Sequence, residues 1–271
     1  MADTNTPDEP RLASMMLART AVIIPARNEE ASLDLVLSDL PAVAGIIVVD
    51  NGSTDDTAAV AKSAGCFVVE EPIPGYGRAC QTGMRHLETL AASVDVPIEY
   101  VAFLDADYSD HPQELGMMLD CIKREQADFV LGSRMHAGRD RGAMPPQAVW
   151  GNWLACTLMR WIWKTSYSDL GPFRVIQRDK LFQLGMQDLN FGWTIEMQIK
   201  AHLAGLRIRE IPVSYRRRIG VSKISGTLSG TIRAGYKILS TIARYAIASR
   251  RMREQLCQAP QSQAIKSRIG L

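Results

Sequence analysis

Asp105 and Asp107 stand one residue apart where the apolar run Val101-Ala102-Phe103-Leu104 ends. At an extended strand end side chains alternate between faces, so carboxylates at this spacing are expected to point the same way. Like charges so placed repel unless a cation lies between them. A hard ion such as Mg2+ or Mn2+ suits oxygen ligands and keeps positions open for phosphate oxygens. An isolated Asp-x-Asp reads more readily as an acidic turn that caps a strand, so its companions decide. Asp50 ends a second apolar run, Gly45-Ile46-Ile47-Val48-Val49, where a carboxylate can accept from a base or a ribose hydroxyl. The turn Gly75-Tyr76-Gly77-Arg78 can bring backbone N–H groups and a guanidinium near phosphate, although its Gly-x-Gly alone is a plain turn signal. A basic stretch from 207 to 253 completes an anion-binding rim.

These residues need elements to hold them. Thr20-Ala21-Val22-Ile23-Ile24-Pro25 reads as a first strand, followed by Asn28 as helix N-cap, Glu29 and Glu30 in the first turn, and an apolar stripe of Leu33, Val36, Leu37 and Leu40. The Asp50 run is a second strand, with Ser53-Thr54-Asp55-Asp56 as a capping box for the next helix. Cys66–Glu70 is a third strand, a Pro/Gly-rich loop then leads to a helix ending near Ala92, the Asp105 run is a fourth strand, and a helix from Pro112 to Arg124 precedes a fifth strand, Asp128–Gly132. Buried strands alternating with helices predict a mostly parallel sheet covered on both faces. In such sheets ligands bind beyond the carboxyl ends of the strands, where Arg27, Asn28, Asp50, Asn51, Asp105 and Asp107 gather. After Gly132 the pattern breaks into a basic, turn-rich segment with Arg134, Arg139 and Arg141. Four of the five tryptophans follow, Trp150, Trp153, Trp161 and Trp163. Their helical spacing reads first as core packing, with a lipid-facing surface as the alternative. Asp169–Arg174 turns into another strand, and a helix near 193–204 and a strand near 206–213 finish the sheet domain. Apolar residues at 228, 232, 236, 239, 242 and 246 then mark one face of an amphipathic helix, which can dock on the core or lie in a membrane interface.

The expected organisation is a loose arm (1–17), a catalytic α/β domain (18–225), an amphipathic helix (226–250) and a polar tail (251–271). With 271 residues, 46% hydrophobic and 22% charged, the chain can bury a full core without staples. Five scattered cysteines form no Cys-x-x-Cys pair, which argues against a disulfide frame or a zinc site and for a reducing compartment. No secretory leader and no run of about 18 uncharged apolar residues is present. The expectation is a cytoplasmic protein, with peripheral contact at the inner face of the membrane. A net charge of +2 hides an asymmetry: the basic region 207–253 points to an anionic partner, with a solvated basic face as the alternative, and no nucleic-acid partner is expected.

Five segments in order, Pro25-Ala26-Arg27-Asn28-Glu29, Val49–Asp55, Asp105-Ala106-Asp107, Gly132-Ser133-Arg134 and Arg218-Ile219-Gly220-Val221-Ser222-Lys223, resemble family 2 glycosyltransferases. Within that family the chain is similar to the branch of dolichyl-phosphate mannose synthase and polyprenyl-phosphate glycosyltransferases. The resemblance implies a single GT-A (Rossmann-like) domain. It implies an inverting transferase that moves a hexose from a nucleotide-sugar, GDP-mannose or UDP-glucose, to a polyprenyl phosphate with Mg2+ or Mn2+. Pro25, Arg27, Asn28, Glu29, Asp50, Gly77, Arg78 and the Asp105-Ala106-Asp107 triplet would bind the donor. Asp105 and Asp107 would hold the metal and, with Arg218, Lys223 and Asp169, form the catalytic set. Arg134, Arg139, Arg141 and Arg174 would meet the acceptor. Two departures stand out: Pro172 interrupts the Asp-x-x-Gly-Phe-Arg segment around Asp169 and Arg174, and Ser109, followed by Asp110, stands where mannose synthases carry a metal-contacting Gln. A soluble or saccharide acceptor is the alternative, and a neutral hydroxyl acceptor would need Asp110 or Asp169 as base. A sugar nucleotidyltransferase would need a Gly-rich first loop, and Ala21–Asn28 has no Gly. A non-catalytic binding module is expected to have lost one of the paired carboxylates, and both are present.

Overall fold

The apolar runs become strands of one sheet. The computed structural model describes residues 9–136, 138–220 and 235–249, with side chains from residue 12. The strands are Thr20–Ala26 (β1), Gly45–Asp50 (β2), Phe67–Glu70 (β3), Tyr100–Phe103 (β4), Phe129–Ser133 (β5), Arg174–Gln177 (β6) and Ile208–Pro212 (β7). Their order is β3-β2-β1-β4-β6-β5-β7. Every neighbouring pair is parallel except the two that involve β6, which runs antiparallel between β4 and β5.

The register explains the gathering of polar residues. Ala26 pairs with Asp50, Phe103 with Arg174, and Ser133 with Pro212. The segments after β1, β2, β4, β5 and β7 and the one before β6 therefore emerge along the same edge, where open α/β sheets bind ligands. Period-two alternation sends Ala21, Ile23, Ile47 and Val49 to the core on one face and Val22, Ile24 and Val48 to the core on the other. With both faces buried, these strands have no polar side to show, which is why they read as continuous apolar runs.

The helices are Glu9–Leu17 (α1), Glu30–Asp39 (α2), Thr57–Ser63 (α3), Tyr76–Arg85 (α4), Leu87–Ser93 (α5), Leu115–Arg124 (α6), Pro146–Trp163 (α7), Arg178–Gln183 (α8) and Trp193–Leu203 (α9). Residues 235–249 form α10.

Several expectations need correction. Residues 9–17 are not a loose arm: α1 packs on α6, with Met16 buried and its carbonyl accepting the Thr20 hydroxyl. The helix expected to reach Ala92 divides at His86 into α4 and α5. Core packing describes Trp163 alone of the four clustered tryptophans. It is 9% exposed, whereas Trp150, Trp153 and Trp161 are 62%, 58% and 72% exposed. The C-terminal amphipathic helix does dock, burying Ile242 and Tyr245 in the core, while Tyr236, Leu239 and Ile247 stay exposed. Its expected first residues, 226–234, lie outside the described residues.

Candidate active site

The loops after β1 and β2 are knitted together before any ligand is considered. Asn28 N–H donates to Ser53 Oγ at 3.0 Å, Glu29 N–H to Thr57 Oγ1 at 2.8 Å, and Thr54 N–H to Asn28 Oδ1 at 2.8 Å. Glu30 accepts from Asp56 N–H, and Asp55 accepts from Glu30 N–H. Asn28 is thus not an N-cap. It adopts φ +51°, a region Asn tolerates better than most residues, and it faces the neighbouring loop. The expected capping box is likewise replaced: Asp55 bonds Thr57, and the Ser53 hydroxyl serves Asn28. Asp50 Oδ1 accepts from Ser53 N–H at 3.0 Å, which fixes the carboxylate at the mouth of this platform. Arg27, Asn28 and Glu29 all lie on it.

Asn51, expected at the rim beside Asp50, anchors the next wall. Its amide donates to the carbonyls of Glu71 and Ile73 and accepts from Gly75 N–H, each at 2.8 Å. The expectation that the amides of the 75–78 turn cradle phosphate does not hold. Gly77 N–H donates to the Asn190 carbonyl and Arg78 N–H to the Leu189 carbonyl. The glycines serve close packing instead: a Cβ on Gly77 would lie 2.1 Å from the Asp188 carbonyl oxygen. Gly77→Ala is therefore expected to push α4 off the 188–190 segment at a cost of about 1–3 kcal/mol, read as a lower melting temperature. An unchanged melting curve would show that the backbone yields freely there. Displacing α4 also moves Tyr76, whose hydroxyl lies against the Asp105 carboxylate.

β4 ends at Phe103, and the chain then turns, with Tyr108 at φ +60°. Asp105 and Asp107 are brought together by this turn and not by strand alternation. Asp107 is 5% exposed. Its Oδ1 accepts from Ser109 N–H at 3.0 Å, and its Oδ2 pairs with Arg218 Nη1 at 2.9 Å. Asp105 Oδ1 is buried without a partner. Burial, with the Asp107 charge beside it, pushes the Asp105 carboxyl up to about 7 against the pull of Arg218. Asp110 lies behind the pair, 2% exposed, with neither carboxylate oxygen partnered. Burial and the charges of Asp105 and Asp107 raise its carboxyl well above the ordinary range. Such a knot of negative charge fits a divalent cation, with Asp105 and Asp107 as the ligands. Among the described residues no closed cage of three or more His, Cys, Asp or Glu side chains forms, so the remaining positions would fall to other oxygens.

The segment after β7 closes over this turn. Arg216 N–H donates to the Ser109 carbonyl and Ile219 N–H to the Asp107 carbonyl. The Arg216 guanidinium donates to the Tyr108 and Asp110 carbonyls, pairs with Asp39, and lies over the Tyr108 ring at 3.3 Å. Arg218 is held on the Asp107 carboxylate by this stitching. The 218–223 segment marks Arg218 in the sequence, but nothing local shows that Arg216 holds it in place. Arg217 donates to the Arg141 carbonyl and Tyr215 pairs with the 138–140 strand of backbone, so Arg139 and Arg141 are tied to the same segment. Lys223 lies outside the described residues.

Across the site, Arg134 and Asp169 form a bidentate pair: Nε to Oδ2 and Nη2 to Oδ1, both at 2.8 Å. Burial alone would raise the Asp169 carboxyl, but the Arg134 charge and hydrogen bonds hold it below the usual value. Glu210 fixes the loop by accepting the Ser168 and Asp169 N–H groups, and Asn152 of α7 bonds the Ser168 carbonyl and the Leu170 N–H. Asp169, only 1% exposed, has both oxygens engaged and positions Arg134 instead of reacting. A base for a neutral acceptor would fall to Asp110. Arg174 is also buried. Its guanidinium donates to the carbonyls of Pro172, Thr194 and Gly171, so it braces the loop and does not face an acceptor.

An open sheet of this order with one reversed strand, and paired carboxylates at the turn after β4, is the GT-A arrangement of enzymes that use nucleotide-sugars. The chain belongs to glycosyl transferase family 2, whose model matches residues 21–185. It is 38% identical over 216 residues to an uncharacterised glycosyltransferase of Mycobacterium tuberculosis, covering 78% of this chain and 92% of that one. A dolichyl-phosphate hexose transferase of Haloferax volcanii is 28% identical, with 78% and 88% covered. Among solved structures, glucosyl-3-phosphoglycerate synthase of Mycobacterium tuberculosis, in complex with Mn2+, UDP and glucosyl-3-phosphoglycerate, superposes with a TM-score of 0.62. It is 21% identical, with 97% and 88% covered. The chain is a glycosyltransferase, and its resemblance to the polyprenyl-phosphate branch stands.

Proposed function

We propose that this enzyme transfers a hexose from a nucleotide-sugar, GDP-mannose or UDP-glucose, to a polyprenyl phosphate with inversion at the anomeric carbon. The observation that carries the reading is the opposition of Asp105 and Asp107 to Arg218, with the phosphate-ready edge of Arg134 across the rim. Asp50, Arg27 and Glu29 hold the nucleoside on the knitted β1–β2 platform. Mg2+ or Mn2+ bound by Asp105 and Asp107 would neutralise the leaving diphosphate. Arg218 stands beside it and adds a guanidinium to the same charge, joined in sequence by Lys223.

A phosphate monoester is already anionic at neutral pH. Its oxygen attacks the anomeric carbon as the bond to the nucleotide diphosphate breaks, and no proton need be removed. The enzyme's work is then alignment and charge stabilisation. Arg134 donates to Asp169 through Nε and Nη2, which leaves Nη1 for an acceptor phosphate, with Arg139 and Arg141 on the adjoining segment. The dolichyl-phosphate hexose transferase relative supports a lipid-linked acceptor, and such an acceptor places the enzyme at a membrane surface. Among the described residues no helix is long and apolar enough to cross a membrane, so the contact would be peripheral.

The test offers labelled GDP-mannose and UDP-glucose, with and without divalent metal and polyprenyl phosphate. Metal-dependent label is expected in the organic phase. Donor turnover without lipid label would move the acceptor to a soluble phosphate or saccharide, and no turnover with either donor would overturn the donor assignment.

A further inference from the structure

The exposed tryptophans lie on one stripe of α7. At 100° per residue, Trp150, Trp153, Leu154, Thr157, Arg160 and Trp161 fall within about 120° of arc. The buried residues Asn152, Ala155, Cys156, Met159 and Trp163 occupy the opposite side. Three indoles more than half exposed put on the order of 400 Å² of aromatic surface in contact with water, a size that marks an interaction face and not scattered apolar residues. The stripe carries Arg160, exposed Lys164 follows at the C-cap of the helix, and no residue from 146 to 164 is acidic. α10 adjoins it, since Trp163 Nε1–H donates to Ser249 Oγ at 2.7 Å. That helix also lacks any carboxylate and exposes Tyr236, Leu239 and Ile247.

We infer that the outward face of α7 docks on an anionic lipid surface, the indoles seated at headgroup level and Arg160 and Lys164 against lipid phosphates. Tryptophan prefers this boundary because its ring is apolar at one end and donates at the other. Cations add attraction to an anionic leaflet. A second copy of the chain fits less well, because a two-fold contact through this face would set cations against cations with no carboxylate to answer them. The inner side of the same helix holds the acceptor loop through Asn152, one residue before Trp153. Docking would therefore turn the Arg134 side of the site toward the lipid. The inference deepens the polyprenyl phosphate reading and rests on that reading for its purpose alone.

The test is flotation of the full chain with vesicles that contain no polyprenyl phosphate, so that it reads docking apart from transfer. The wild type is expected to float with vesicles of about 30% anionic lipid at low salt and to stay down with neutral ones. Trp150→Ser, Trp153→Ser and Trp161→Ser combined should lower the bound fraction about tenfold, with an unchanged circular dichroism spectrum. Arg160→Glu with Lys164→Glu should do the same. A blue shift of the wild-type tryptophan emission on adding anionic vesicles is a second readout that needs no variant. The proposal is overturned if the wild type neither floats nor shifts, or if the triple variant floats as well as the wild type. A dimer dispersed by the three Trp changes, without flotation, would assign the face to a second copy and also overturn it.

Discussion

Asp107→Asn is expected to lower metal-dependent sugar transfer on the order of 10²–10³-fold while leaving the fold in place. The substitution keeps shape and keeps an oxygen for the Ser109 N–H. It removes one negative charge from the proposed seat of the divalent ion and turns an amide toward Arg218 Nη1, where the carboxylate now accepts at 2.9 Å. Two donors then face each other, so Arg218 loses its anchor as well. The Asp105 carboxyl, held up to about 7 partly by the Asp107 charge, should fall once that charge is gone. Titration of Mn2+ in the presence of the nucleotide diphosphate gives a readout independent of turnover, and its affinity should drop in parallel. Full activity with unchanged Mn2+ affinity would sink the metal assignment.

The strands that position this site were legible because their signal is local. β1 and β2 are apolar, β-branched runs and β5 is a short apolar one, each bounded by turn residues and with both faces buried. The paired carboxylates were legible because they are contiguous. Their convergence was predicted for the wrong reason, since alternation along a strand could not reveal the turn at Asp107 and Tyr108. The antiparallel insertion of β6 had no local signature: Arg174-Val175-Ile176-Gln177 pairs with strands about 45 and 70 residues away in sequence, and nothing within four residues states a direction. Gly75 and Gly77 read as phosphate-turn residues because glycine at a helix start has two uses, amide exposure and close approach, and only the contact with the 188–190 segment separates them. Tyr76, Tyr215 and Arg216, and the anchoring role of Asn51, were missed for a related reason: each acts through a partner 20 or more residues away. The exposed face of α7 was misjudged because tryptophan spacing reports a stripe and cannot say whether protein or solvent lies beyond it.

Asp169→Asn and Arg134→Ala are each expected to destabilise the protein by about 3–5 kcal/mol, because either change strands one member of a buried ion pair. Asp169 accepts from Nε, Nη2 and the backbone N–H of Arg134, and its own loop is clamped by Glu210 and Asn152. With Asn at 169 the guanidinium keeps one acceptor and loses the charge that balances it. With Ala at 134 the carboxylate keeps its place among N–H groups but has no cation, and it would take up a proton more readily. The pH dependence separates this pair from ordinary packing. The Asp169 carboxyl titrates lower in the folded protein than in the unfolded chain. Its contribution is therefore fully present above the unfolded value of about 3.9 and is lost as pH falls through the folded value. Asp169→Asn should remove that part of the acid limb of stability, while a cavity variant in the core would shift the whole curve. Arg134→Lys adds the functional arm. It keeps the charge but not the two-pronged geometry, so it should recover part of the stability while lowering affinity for the acceptor more than for the donor. Chemical unfolding between about pH 3 and 7, set beside the dependence of transfer on acceptor concentration, reads both effects. If Arg134→Lys restored stability and left the acceptor dependence unchanged, the pair would be structural cement, and the acceptor phosphate would have to be met elsewhere on the rim.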